Sequence, residues 1–154
     1  MGAVRDKAPS GAVADREIVH GTAVAVGGRA ALLVGASGAG KSALALSLIA
    51  LGARLVADDR TVLVRRDDGL VASAPKAIAG AIEARGVGIL RAPRQPFARL
   101  AVVVDMERQA AARLPEIRTT FLLGVRVEVM DFVAQGHFPA ALFLYLVKGR
   151  VDAA

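Results

Sequence analysis

Two short stretches carry the residue types that phosphate chemistry requires. GASGAGKS at 35–42 has the form G-x-x-x-x-G-K-[ST], with Gly35, Gly40, Lys41 and Ser42 in the fixed places. Glycines let successive backbone amides turn inward onto phosphate oxygens, and a helix starting there adds its positive N-terminal end. The whole run of Gly35, Ala36, Ser37, Gly38, Ala39, Gly40, Lys41 and Ser42 is therefore the expected cradle for nucleotide phosphates. In such a loop Lys41 reaches the β and γ phosphates and Ser42 ligates magnesium. The second stretch, LVADD at 55–59, is an apolar run ending in two adjacent carboxylates, Asp58 and Asp59. Alone they would repel each other; beside a lysine and a magnesium ion they become tolerable, and one can take a proton from an attacking hydroxyl.

The loop works only between a strand and a helix, and the flanking sequence supplies both. EIVHGTAVAV (17–26) and RAALLV (29–34) read as two strands joined by Gly27-Gly28, a hairpin signal. KSALALSLIAL (41–51) is rich in Ala and Leu, apolar on nearly every side and followed by Gly52, which predicts a helix buried between layers with a glycine C-cap. ARLVA (53–57) is the next strand. Strand, loop, helix of roughly 16 Å and strand make a βαβ unit whose two strands should run parallel. Their carboxyl ends then open on one edge, placing Asp58 and Asp59 beside the phosphate loop. Neighbours in a regular strand point to opposite faces, so both aspartates reach the cleft only if the chain bends after Ala57.

Further along, 60–66 and 69–74 read as a meander about Asp67-Asp68-Gly69. Single strands are expected at 82–90, 98–104 and 121–130, a proline-bearing loop at 91–97, and a helix at 139–148 opening on Pro139. The fold class is α/β, a mixed sheet of the phosphate-loop kinase type around a central βαβ unit. One domain at 17–150 follows a leader, 1–16, expected to be disordered.

In combination, GASGAGKS, LVADD, EARGVGIL (83–90) and His20-Gly21 resemble the catalytic domain of the HPr kinase/phosphorylase family, over roughly 17–90. The resemblance implies ATP and magnesium, or manganese, as cofactors, a fold shared with phosphoenolpyruvate carboxykinase, and serine phosphorylation of an HPr-like phosphocarrier that regulates the phosphotransferase system. It implies Asp58 as general base, Asp59 supporting the site through the metal, Glu83 joining Ser42 and Asp59 at magnesium, His20 beside Asp58 to tune it, and Arg85 completing the signature with Gly86. It also favours a homo-oligomer. Four departures stand out. RAPRQPFAR (91–99) follows GVGIL where the family continues with a glycine-rich flexible loop. The chain starts almost at the catalytic module, so the family's additional N-terminal domain is expected to be absent. The P-G-R-N motif tied to the phosphorylase direction is missing from 118–136, and Ala43 replaces a customary acidic residue.

Composition narrows the alternatives. The chain has 154 residues, a net charge of +6 and no cysteine, which removes thiolate chemistry and fits a cytoplasmic protein. The basic balance invites nucleic acid, but only 4% of residues are aromatic and Lys/Arg runs are short, so no nucleic-acid partner is expected. No apolar stretch approaches the roughly 20 residues that span a bilayer, so no membrane role is expected either. Positive charge at Arg85, Arg91, Arg94 and Arg99 either meets an acidic partner or is ordinary surface. Two other functions remain open: a small-molecule kinase that uses AVVVDM (101–106) as its metal strand through Asp105, and a nucleotide-binding module without turnover.

Overall fold

The computed structural model describes residues 14–151. Most of the leader at 1–16 lies outside that range, and Arg16 already opens the first strand. In chain order the elements are β1 (Arg16–Val26), β2 (Arg29–Val34), α1 (Lys41–Ala50), β3 (Arg54–Ala57), β4 (Arg60–Arg66), β5 (Gly69–Ser73), a 3-10 turn (Lys76–Ile78), β6 (Ala81–Ala84), β7 (Gly88–Arg91), β8 (Ala98–Gln109), β9 (Arg118–Leu122), β10 (Val125–Phe132) and α2 (Phe138–Lys148).

Eight of the strands form one mixed sheet in the order β2-β1-β4-β5-β8-β10-β9, with β3 also on β1. β2 further pairs with β8, in parallel, so β1, β2, β8, β5 and β4 close into a ring. β2 and β3 are each antiparallel to β1 and therefore parallel to one another, as the βαβ reading requires, but β1 lies between them. Both carboxyl ends still open on one edge.

Alternation along the strands accounts for their almost unbroken apolar sequences. Ala23, Ala25, Ala30, Leu32, Val34 and Val103 point into one core, enclosed by the folded-over sheet. Val24, Ala31, Leu33, Val102 and Val104 point into another, beneath α1 and α2. Strands buried on both faces have no polar face to show. Leu32, Leu33 and Leu48 are fully buried, each worth about 2 kcal/mol against exposure.

Several expectations are corrected. α1 is not enclosed on every side: Leu44, Ala45 and Leu48 face the sheet while Ala43, Ser47 and Ala50 are exposed, because the helix is an outer layer. The single strand at 82–90 is a hairpin, β6 and β7, turning at Arg85-Gly86-Val87 with Gly86 and Gly88 at φ 84° and 140°. The strand at 121–130 is likewise split, into β9 and β10, at Leu123-Gly124, both at positive φ as a two-residue hairpin turn needs. β8 runs on to Gln109. The apolar C-terminal helix, α2, packs on the sheet through Leu142 and Leu146.

Candidate active site

A cavity of about 560 Å³ opens at the carboxyl end of β2 and β3. Its first wall is the phosphate loop. β2 delivers Gly35, where φ is 151° and a Cβ would lie 3.1 Å from Met106 and 3.2 Å from Ala39, so only glycine fits without displacement. Gly40 at φ 98° turns the chain into α1, and Ser37, Gly38, Gly40, Lys41 and Ser42 line the cavity. Lys41 is buried, and its Nζ donates to the carbonyls of Gly35 (2.6 Å) and Ala36 (3.1 Å). Gly35 and Ala36 thus form the root of the loop, and Ala39 packs toward the core under α1.

The aspartate corner is the second wall. Asp59 adopts a left-handed conformation, φ 67°, which breaks strand alternation and brings both aspartates to the cavity. That conformation costs a non-glycine residue on the order of 1 kcal/mol, and β1 holds it in place. Asp59 carbonyl accepts from Gly21 N–H at 2.9 Å and its own N–H donates to Thr22 Oγ1 at 3.0 Å. Gly21 has to be small, since a Cβ there would sit 2.9 Å from the Leu33 carbonyl oxygen of β2. Asp58 Oδ1 accepts from Ser42 Oγ and from Thr22 Oγ1, both at 3.0 Å, and Asp58 Oδ2 accepts from Glu83 N–H at 3.0 Å.

The β6–β7 hairpin makes the third wall, with Glu83, Arg85 and Val87 lining the cavity. Arg85 stands in the turn between β6 and β7. Charge along the walls is mixed: Lys41 and Arg85 against Asp58, Asp59 and Glu83.

All of the expected residues except His20 line the cavity or form its loop, and one pairing differs. His20 Nε2 lies 2.8 Å from Asp59 Oδ1, not against Asp58. β1 pairs with the corner so that His20 meets Asp59, while Asp58 is drawn to Ser42 and Thr22. With side chains 52% and 63% exposed, the His20–Asp59 pair is solvent-screened and contributes little to stability. Arg99 is corrected as well. It pairs with Arg29 at the start of β8 and bonds Asp68, so it belongs to the opposite end of the sheet. Asp105 comes level with Val34 just before the loop, yet its carboxylate accepts from Glu107 N–H at 3.1 Å and it takes no part in the cavity walls. Thr22 was not anticipated. Its signal was a lone hydroxyl in an apolar strand, two residues from His20 and so on the same face.

Among the described residues no group of three or more His, Cys, Asp or Glu is gathered to hold a metal. The Ser42 hydroxyl beside the Asp58 carboxylate nevertheless suits magnesium, which takes one or two protein oxygens and completes its shell with waters and substrate phosphates.

Loop, aspartate corner and mixed sheet define a phosphate-loop protein of the kinase type. The family model described as HPr Serine kinase C-terminal domain matches residues 11–119, and the chain belongs to that family. HPr kinase/phosphorylase of Lactobacillus acidophilus is 44% identical over 154 residues, covering 83% of this chain and 48% of that protein. The same-named protein of Halalkalibacterium halodurans is 42% identical over 98 residues, 58% of this chain and 31% of its own length. The chain thus spans about half or less of the curated relatives it matches. The structure of the Hpr(Ser) kinase/phosphatase from Coxiella burnetii has the same fold, with a TM-score of 0.71 at 24% identity over 86% of this chain and 94% of that one. No helix of the described residues is long and apolar enough to cross a membrane.

Proposed function

We propose that this chain is the catalytic module of an ATP-dependent protein-serine kinase whose acceptor is an HPr-like phosphocarrier, working as a cytoplasmic homo-oligomer. One observation carries the reading: the Ser42–Asp58 hydrogen bond ties the phosphate loop directly to a carboxylate in the same cavity. A kinase needs phosphate binding and proton acceptance side by side, and relies on positioning and charge more than on covalent chemistry. Family membership and the names of its relatives support an HPr-like acceptor.

In this reading the loop amides and Lys41 hold the ATP phosphates, Arg85 offsets charge from the hairpin, and a carboxylate accepts the serine proton as the serine oxygen attacks the γ phosphorus and ADP leaves. Ser42, with Glu83 or an aspartate, would hold magnesium, which when bound neutralises charge on the phosphates. The family resemblance assigns the base to Asp58 and the metal side to Asp59. The Ser42–Asp58 and His20–Asp59 pairings favour the exchanged assignment, with Asp59 at the proton. The phosphorylase direction is left out of the proposal because the P-G-R-N motif is missing.

The test is transfer from labelled ATP with magnesium to the HPr-like carrier, run with D58N and D59N alongside. Transfer to serine by the unaltered protein is expected. ATP binding without transfer would refute the kinase reading. The variant that loses kcat while keeping its affinity for magnesium–nucleotide identifies the base.

A further inference from the structure

Thr22 is fully buried in β1, and among the described residues its hydroxyl alone of the side-chain groups bonds to both aspartates. It donates its single proton to Asp58 Oδ1 and accepts the Asp59 N–H, each at 3.0 Å. A hydroxyl has one proton to give and lone pairs to receive, so the two bonds use it in complementary ways. Valine has nearly the same shape and suits an apolar strand better, so packing does not require oxygen here. What the oxygen does is join an unusual backbone turn to a carboxylate orientation: the N–H it receives belongs to the residue at φ 67°, and the oxygen it serves is the one that also receives Ser42.

We propose that Thr22 is a positioning residue for phosphoryl transfer, setting the spacing between the two aspartates through one hydroxyl. The role rests on the kinase reading above and holds whichever aspartate takes the proton, since both are attached to the same atom. Thr22 does not bond the phosphate loop lysine, and its two bonds lie on the acidic side of the cavity. Its loss therefore shifts the aspartates while leaving the loop's own hold on the phosphates, through Lys41 and the backbone amides, in place, so turnover suffers more than nucleotide capture.

The experiment compares T22V and T22S with the unaltered protein in steady-state transfer from ATP to the HPr-like carrier, together with magnesium–ADP affinity and thermal unfolding. T22V is expected to lower kcat by about 10- to 100-fold, the scale of a small misplacement of reacting groups. Its KM for ATP and its ADP affinity stay within about 3-fold, the split that marks an effect on the transition state. T22S, which restores the hydroxyl without the methyl, recovers most of kcat. If T22V does not unfold cooperatively, T22A against T22S makes the same comparison. A hydroxyl-free variant with unchanged kcat, or a serine variant as slow as it, overturns the proposal while leaving the kinase reading intact. An unaltered protein that binds ADP and transfers nothing overturns the kinase reading, and the Thr22 role with it.

Discussion

At the open edge of the sheet, Asp58 accepts from two hydroxyls and a peptide N–H, all neutral. On the far flank, Asp131 of β10 faces Arg118 and Arg108, and Glu128 faces Tyr145 at 2.8 Å and Arg150 at 2.6 Å. The carboxyl groups are chemically alike and the sheet is the same, but the partners differ in kind. Arginine cancels the charge and leaves a closed, structural pair. Neutral donors fix a carboxylate in place without cancelling it, so the negative charge stays available for a cation or a proton. Within one sheet, the type of partner separates carboxylates that hold the fold together from those able to act.

The contrast can be broken by experiment, beginning with the strongest effect. Lys41→Ala should lower transfer by about a thousandfold or more, because in the proposed kinase it removes the positive charge that meets the phosphates. Melting within a few degrees of the original would show that this charge serves the reaction and not the fold. Asp58→Asn keeps an acceptor and the shape of the side chain but removes its charge, and whether that charge serves the metal or the proton, transfer should fall by about a hundredfold or more with little change in melting temperature. If Asp58→Asn instead destabilised the protein while sparing turnover, the two carboxylate regions would not differ as argued.

Asp131→Asn should do the reverse. Its carboxylate is only 14% exposed, so weakening its pairing should cost about 2 kcal/mol in urea unfolding while transfer stays within about 3-fold. A smaller, pH-dependent effect belongs to Tyr145. Burial, then its hydrogen bond to Glu128, raise its pKa above 10.0. The folded state thereby favours the protonated phenol, so this contribution is complete below pH 10 and is lost as pH rises through the raised value. The urea midpoint should therefore fall more steeply with alkaline pH in the original protein than in Tyr145→Phe. Parallel curves would remove Tyr145 from the structural cluster.

Local signals were enough wherever a residue's role depends on its neighbours in sequence. The Gly27-Gly28 hairpin, the phosphate loop, α1 and its Gly52 end, and the meander about Asp67-Asp68-Gly69 all appear where glycine spacing and apolar runs put them. Two turns lack a local signal, for opposite reasons. Arg85-Gly86-Val87 was hidden inside a run that reads as one strand, and Leu123-Gly124 places a leucine at φ 50° where an asparagine or glycine would have marked the turn. The exposed face of α1 reads as apolar in the sequence because it carries alanines, Ala43 and Ala50.

The sequence by itself determined the phosphate loop, the pair of carboxylates after β3 and their shared edge, since a βαβ connection of this length leaves little freedom in where the two strand ends lie. Only the tertiary structure decided which aspartate meets which partner. β1, inserted between β2 and β3, brings His20, Gly21 and Thr22 to residues some 36 to 39 positions away. Such pairings depend on strand register and on a single left-handed residue, and neither is written in local spacing.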